Sequence, residues 1–181
     1  MYVPTQMFLT RGVGTHKEKL SSFEMALRAG GIAHFNLVRV SSIYPPNCKI
    51  IPRAQGLKKL SAGQIVHVVL AEAATNEPRR LMSSSIGIAI PKDPNQFGYL
   101  SEFHGFGVTD QKAGDYAEDL AAEMFATVMG MAFDPDKSWD EKREEWKISG
   151  MFLKTMHMTQ SALSDKEGLW TTTISAAVLL P

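Results

Sequence analysis

Adjacent serines are the first feature of this 181-residue chain that could carry out chemistry. They occur as Ser21 with Ser22, as Ser41 with Ser42, and as Ser83, Ser84 and Ser85. A serine hydroxyl is a nucleophile when its surroundings activate it. Only the pair at residues 41 and 42 lies where a strand-like run meets a rigid stop, IYPP at residues 43–46. A backbone fixed on both sides can hold a strained peptide. The other two groups fit an exposed helix face and the beginning of a strand.

Metal and thiol chemistry are not expected from the remaining residues. The five histidines are dispersed without the spacing of metal ligands. Cys48 is the only cysteine, which excludes a disulfide and a cysteine-based zinc site within one chain and fits a reducing compartment. The sequence also lacks a glycine-rich phosphate loop of the P-loop or dinucleotide type.

The elements that position these residues follow from hydrophobic periodicity. We predict helices at residues 18–30, with Leu20, Phe23 and Leu27 on the apolar face, and at residues 110–132, with Thr109 as N-cap. The predicted strands are residues 35–41, 64–72, 84–90, 98–106, 151–158 and 170–179. The charged segment at residues 134–146 is either a solvated loop or a short exposed helix, and no role is assigned to it.

Grouped strands with few helices favour an α+β fold over a doubly wound sheet. We expect a β-sandwich-like core covered by helices, in αββα layers, with residues 1–181 forming one domain. The formal net charge of zero gives no basic surface for nucleic acid or a membrane. No apolar stretch approaches the length of a membrane span, and the first residues do not resemble a signal peptide. The expected location is the cytoplasm.

Three blocks of the sequence resemble those of the pyruvoyl-dependent arginine decarboxylases. The stretch NLVRVSSIYPP at residues 36–46 is similar to the self-cleavage segment of that family. The stretch IAIPKD at residues 88–93, followed by Gly98 and Glu102, is similar to its second signature. The ending TISAAV at residues 173–178 also resembles the family, and the likeness runs from about Leu20 to the C-terminus.

The resemblance implies a chain that processes itself. The Ser42 hydroxyl would attack the carbonyl carbon of Ser41, and the zymogen would be cut into a β chain, residues 1–41, and an α chain, residues 42–181. Elimination and hydrolysis would leave a pyruvoyl group in place of Ser42. That covalent cofactor would form a Schiff base with the substrate amine, as pyridoxal phosphate does in other decarboxylases, so neither pyridoxal phosphate nor a metal is expected. The implied reaction is that of a carbon–carbon lyase, which converts L-arginine to agmatine and CO2 in polyamine biosynthesis.

The resemblance also implies roles for three further residues. Glu102 matches the family's catalytic glutamate and would act as a general acid if apolar neighbours raised its pKa. Asn36 matches an asparagine near the scissile bond, and on an unbroken strand its side chain and that of Ser42 would face the same side. The resemblance implies a catalytic role in which its amide would donate to the developing oxyanion or orient the ketone. Glu24 stands where the family typically has an aspartate that holds the guanidinium, so the carboxylate is kept on a side chain one methylene longer.

Each of these three residues also fits a purely structural role: Glu102 as an exposed strand residue, Asn36 as a strand-end residue bonded to backbone, and Glu24 as an exposed helix residue.

The implied assembly is a homotrimer or a pair of trimers, in which Glu24 and Ser42 come from different chains. Three alternatives stay open: a non-cleaving trimeric homologue that binds a small molecule, a decarboxylase of a different amino acid, and an unrelated hydrolase that uses Ser42 as an ordinary nucleophile. The hydrolase would need a general base, and the nearest preceding histidine is His34.

Overall fold

A computed structural model describes residues 2–130 and 153–181 of the chain, and these residues form an α+β fold of nine strands and three helices. In chain order the elements are β1 (Gln6–His16), α1 (Lys19–Gly30), β2 (Asn36–Arg39), β3 (Ile43–Tyr44), β4 (Lys49–Ile50), α2 (Arg53–Leu57), β5 (Ile65–Thr75), β6 (Leu81–Pro91), β7 (Gly98–Phe106), α3 (Asp110–Val128), β8 (Leu153–Leu163) and β9 (Trp170–Leu180). The two long helices and the long strands from β5 onward agree with the prediction. No bounds were predicted for the 11-residue strand β1, and β3, β4 and α2 are additional short elements.

The strands form two sheets. The larger sheet has the order β2-β5-β9-β1-β4, and the smaller one has the order β3-β7-β6-β8. In the larger sheet β2 runs parallel to β5 and β4 parallel to β1, while β9 is antiparallel to both of its neighbours. All pairs of the smaller sheet are antiparallel. The segment before the serine pair, β2, therefore belongs to one sheet, and the segment after it, β3, belongs to the other.

Helix α1 packs closely against β1 and β9 through small residues. Its buried residues are Ser22, Ala26 and Gly30. A Cβ at Gly14 of β1 would lie 2.2 Å from the carbonyl oxygen of Ser22, so this approach requires glycine. The predicted apolar face was wrong at Leu20, which is 77% exposed. The expectation that the first serine pair lies on an exposed face was wrong as well, because Ser22 is buried.

Helix α3 packs against β6, β7 and β8 of the smaller sheet. Thr109 caps it as predicted, since the side-chain oxygen accepts a hydrogen bond from the Lys112 backbone N–H at 3.4 Å. The helix ends at Val128, earlier than the predicted residue 132. The segment 134–146, to which no role was assigned, lies outside the described residues. No helix in the described part of the chain is long and apolar enough to cross a membrane.

Three clusters of buried apolar side chains hold these elements together. One cluster draws on both sheets, with Met7, Leu9, Val69, Ile86, Ile88, Leu100, Ala177 and Leu179 among its members. A second cluster joins α1 to the larger sheet and includes Phe8, Ala26, Val68, Leu70, Ile174 and Val178. A third lies between α3 and the smaller sheet and is built around Ala89, Ala121, Ala122 and Phe125. Burial of this apolar surface is the main stabilising contribution, and it fixes the two sheets relative to each other.

Candidate active site

The peptide bond between Ser41 and Ser42 lies where the chain passes from one sheet to the other. The backbone N–H of Val40 donates to the carbonyl oxygen of Val68 at 3.0 Å, which continues the pairing of β2 with β5 in the larger sheet. The carbonyl oxygen of Ser42 accepts a hydrogen bond from the Leu100 N–H at 2.7 Å, at the edge of the smaller sheet. The bond between the two serines is therefore held at both ends, one end by each sheet.

A tight turn is formed at this bond. The backbone N–H of Ile43 donates to the carbonyl oxygen of Ser41 at 3.1 Å, and a hydrogen bond between residues two apart makes Ser42 the centre of a γ-turn. Among the described non-glycine residues only Asn47 and Arg79 have a positive φ, so the turn at Ser42 is the inverse form that is common at strand ends. Ser41 is exposed and Ser42 is partly buried. The carbonyl that would be attacked is therefore both accessible and oriented.

The register of β3 on β7 brings Glu102 near Ser42. Ile43 pairs with Tyr99, which puts Ser42 opposite Leu100 and Glu102 two residues farther along β7. Diagonal neighbours in an antiparallel pair are about 7–8 Å apart, within reach of a glutamate side chain. The structure therefore brings together two predicted site residues that are far apart in the sequence.

The surroundings of Glu102 favour the protonated form of its carboxyl group. Much of the residue is exposed in a single chain, yet the protein around the carboxyl group removes enough water to raise its pKa above the usual value. The Leu70 backbone N–H, Arg39 and His104 act in the opposite direction, because each stabilises the carboxylate. A carboxyl group that holds its proton above its ordinary pKa is suited to act as a general acid.

Arg39 is a residue that the sequence analysis did not select. Its guanidinium contacts the Glu72 carboxylate of β5 at 2.6 Å, and it is close enough to Glu102 to lower the pKa of that group. The charge of Arg39 is therefore shared between two carboxylates. The available signal in the sequence was a charged residue within an otherwise apolar strand run, three positions before Ser42.

A pocket of about 390 Å³ opens beside the serine pair. It lies within the range of about 300–1,000 Å³ that is typical of small-molecule sites. Its walls are mainly apolar and are formed by Tyr2, Val3, Pro4, Val40, Ser41, Ile43, Pro45, Pro46, His67 and Leu179. The Tyr2 hydroxyl and the His67 Nδ1 are hydrogen-bonded to each other at 3.1 Å. These walls hold no carboxylate, so a guanidinium in this pocket would need a partner from elsewhere.

Asn36 lies at the far end of β2 from the serine pair. Its side-chain amide donates to the Gly63 carbonyl oxygen at 2.7 Å. The premise of one unbroken strand was wrong, because β2 ends at Arg39 and Ser42 is bonded to the other sheet. Six extended residues span up to about 20 Å. Within one chain, the structure does not bring Asn36 to Ser42.

Glu24 lies on α1, and its carboxylate accepts a hydrogen bond from the Arg28 guanidinium at 2.5 Å. Both side chains are substantially exposed, so this ion pair within one helix contributes little to stability. Glu24 does not line the pocket beside Ser41. Its carboxylate is near the surface of the chain and available to another molecule.

Comparisons with known proteins agree over almost the whole length of the chain. A family model described as pyruvoyl-dependent arginine decarboxylase matches residues 6–181. A protein of Chloroherpeton thalassium, named a probable pyruvoyl-dependent arginine decarboxylase, is 57% identical over 180 residues, which cover 99% of each chain. Pyruvoyl-dependent arginine decarboxylases of Nitrosopumilus maritimus and Methanosarcina mazei are 54% and 52% identical over 178 residues, covering 98% of this chain and 97% of theirs.

Proposed function

This chain belongs to the family of pyruvoyl-dependent arginine decarboxylases, and we propose that it cuts itself between Ser41 and Ser42 and converts L-arginine to agmatine and CO2. The products of the cut are residues 1–41 and residues 42–181. The observation that carries this proposal is the held and accessible peptide bond at the crossing between the two sheets. A reacting group fixed in this way needs little further ordering to reach the geometry of attack.

The first step is an acyl shift at the serine pair. The Ser42 hydroxyl oxygen bonds to the carbonyl carbon of Ser41, the carbon–nitrogen bond breaks, and the hydroxyl proton passes to the departing nitrogen. The product is an ester between the two serines. The hydrogen bond from the Leu100 N–H to the Ser42 carbonyl oxygen and the one from the Val40 N–H to the Val68 carbonyl oxygen restrain the two sides of the bond during this step.

The residues around Ser42 fit a pyruvoyl group formed from that serine. The carbonyl that would become part of the group already has a donor in the Leu100 N–H, and the pocket beside Ser41 has mainly apolar walls. Such a group supplies an electrophilic carbonyl that binds the substrate amine and takes up the electron pair freed when CO2 leaves. Glu102 would then donate a proton to the α-carbon of the substrate, which its raised pKa supports.

A subunit assembly would complete the site, and we include a homotrimer or pair of trimers in the proposal. Glu24 does not line the pocket beside Ser41, Asn36 lies at the far end of β2, and the described residues of the pocket walls include no carboxylate for the guanidinium. Exposed apolar side chains, which suit a subunit contact, occur around the serine pair at Tyr2, Val3 and Ile43. Glu24 of one subunit would then hold the guanidinium of arginine bound at Ser42 of another.

The architecture in this proposal is a single cytoplasmic domain in which α1, the larger sheet, the smaller sheet and α3 form four layers. Support for the layers comes from the apolar cluster shared by both sheets and from the separate contacts of each helix. In this arrangement the segment with Ser41 and Ser42, which passes from the larger sheet to the smaller one, lies at the edge of the layers, where a neighbouring subunit can reach it.

The decisive experiment measures cleavage and turnover on one sample. Intact-mass analysis of the purified protein should show two fragments that correspond to residues 1–41 and 42–181, and it also gives the extent of processing. Incubation with a panel of amino acids should release CO2 from arginine before all others. A single uncut species would refute the proposal in favour of a binding homologue, and release from a different amino acid would correct the substrate.

Mixed assemblies test the shared site. Glu24→Gln subunits and Ser42→Ala subunits should each be inactive or nearly so when alone. Refolded together, they should regain part of the activity, because some sites then combine an intact Glu24 with a pyruvoyl group from another chain. No recovery in mixtures that size-exclusion chromatography shows to be assembled would place both residues in a single chain's site.

A further inference from the structure

The scissile carbonyl has one hydrogen-bond donor in the backbone, and that donor has no role in either sheet. Leu100 and Ser42 form a hydrogen-bonded pair across β7 and β3. Hydrogen-bonded and non-hydrogen-bonded pairs alternate along an antiparallel ladder, so the next pair, Ile43 with Tyr99, is of the second kind. The Ile43 N–H therefore points away from β7, and it donates to the Ser41 carbonyl oxygen at 3.1 Å.

The acyl shift develops negative charge on this oxygen. As the Ser42 hydroxyl oxygen bonds to the carbonyl carbon, the electron pair of the carbonyl double bond moves onto the Ser41 oxygen. The carbonyl is restored when the carbon–nitrogen bond breaks and the hydroxyl proton passes to nitrogen. A donor that is in position before the reaction stabilises the charged state more than the neutral one, and it needs no reorganisation during the step.

We propose that the backbone N–H of Ile43 is the oxyanion donor for self-cleavage. This inference rests on the proposed function, because it assigns a group to the cleavage step. The γ-turn at Ser42 is then part of the cleavage machinery, since it aims the amide at the oxygen on which charge develops. The group of Ile43 that takes this role is its backbone N–H, which is bonded to the Ser41 carbonyl oxygen.

The test replaces one backbone amide by an ester. A precursor carrying the α-hydroxy acid analogue of isoleucine at position 43 keeps the side chain and loses the N–H. Its cleavage, followed by intact mass, should be about 100-fold to 1,000-fold slower than that of the all-amide precursor, which is the effect of removing one oxyanion donor.

A matched ester at Ile51 serves as the control. The Ile51 N–H donates to the Met7 carbonyl oxygen at 2.8 Å, so this variant loses a comparable hydrogen bond at a distance from the serine pair. It should be cleaved normally. Equal cleavage rates for the two esters would overturn the role of Ile43 and leave the proposed function intact. If no precursor is cleaved, including the unmodified chain, the proposed function itself fails.

Hydrogen exchange gives a second readout that does not depend on the ester variant. In uncut Ser42→Ala protein, the Ile43 amide should exchange more slowly than an unstructured amide, because it is bonded to the Ser41 carbonyl oxygen. Exchange at the rate of an unstructured peptide would overturn the proposal even if the ester precursor failed to fold.

Discussion

Two runs of adjacent serines in this molecule carry the same side chains but lie in different structural environments. Ser83, Ser84 and Ser85 lie in β6, which is paired along its length with β7 on one side and β8 on the other, and all three are 0% exposed. The pair at residues 41 and 42 lies at a crossing between sheets, with one exposed and one partly buried residue.

The hydroxyl groups of the two runs differ as well. Within β6, the Ser83 hydroxyl donates to the Val108 carbonyl oxygen and the Ser85 hydroxyl is bonded to that of Thr159, both at 2.7 Å. These contacts fix the hydroxyls as structural groups. The reaction that we propose at the serine pair depends on the peptide bond between the sheets, where Ser41 is exposed and its carbonyl oxygen accepts a hydrogen bond from the Ile43 N–H. We infer that the difference in reactivity between the two runs comes from the backbone around each serine.

Removal of the Ser42 hydroxyl should have the largest effect. Ser42→Ala has no nucleophile at the crossing, so the chain should stay intact at 20.0 kDa and release no CO2 from arginine. Ser84→Ala, in the buried run, is the control and should be cut to the same extent as the unchanged protein. Efficient cleavage of Ser42→Ala would contradict the difference that we propose between the two serine runs, because cleavage would then not require the Ser42 hydroxyl.

Replacement of Glu102 on β7, the proposed general acid, should have the next largest effect on turnover. Glu102→Gln cannot donate a proton, and turnover of arginine should fall about 100-fold to 10,000-fold, the usual contribution of general acid catalysis. Cleavage should continue, because the acyl shift uses the backbone around Ser42. Glu77→Gln, which alters an exposed pair with Arg80, is the control. Turnover at the unchanged rate would remove Glu102 from the mechanism.

Replacement of Arg39 and replacement of its ion-pair partner Glu72 should move the pKa of Glu102 in opposite directions. Activity that needs protonated Glu102 falls as pH rises through its pKa. Arg39→Gln removes a cation that lowers this pKa, so the fall should occur at higher pH than in the unchanged protein. Glu72→Gln frees Arg39 from its 2.6 Å ion pair, and the fall should then occur at lower pH. If the pH–activity profiles of the two variants shift in the same direction or do not shift, Glu102 is not the group whose deprotonation causes the fall in activity.

The buried serine run should show the smallest effects, and only on stability. Ser85→Ala loses a buried hydrogen bond and should lower the free energy of unfolding by about 1 kcal/mol. Ser84→Ala should change it by close to zero, since among the described residues that hydroxyl has no hydrogen-bond partner to lose. Urea denaturation at fixed protein concentration measures both values. A loss of cleavage in either variant would contradict the separation of the two runs.

Several local features could be predicted because nearby residues determine them. The predicted end of the first helix at residue 30 is confirmed, and Gly31 follows it in the left-handed conformation, with φ of 76°. The cap at Thr109 was equally local. Phe23 and Leu27 of the predicted apolar face of α1 pack against the core. Leu20 does not, because the glycines of β1 let the small residues of α1 approach the sheet instead.

The sequence by itself determined the kind of reaction and the bond at which we propose it occurs, since the three ordered blocks and the serine pair are read directly from the residues. It also determined the helices and the long strands, which depend on short-range periodicity. Only the tertiary structure decided that residues 40 and 42 belong to different sheets, that β3 pairs with β7 and brings Glu102 close to Ser42, and that Asn36 lies at the far end of β2. The physical reason is that pairing between distant strands depends on packing of the whole core, which no local pattern records.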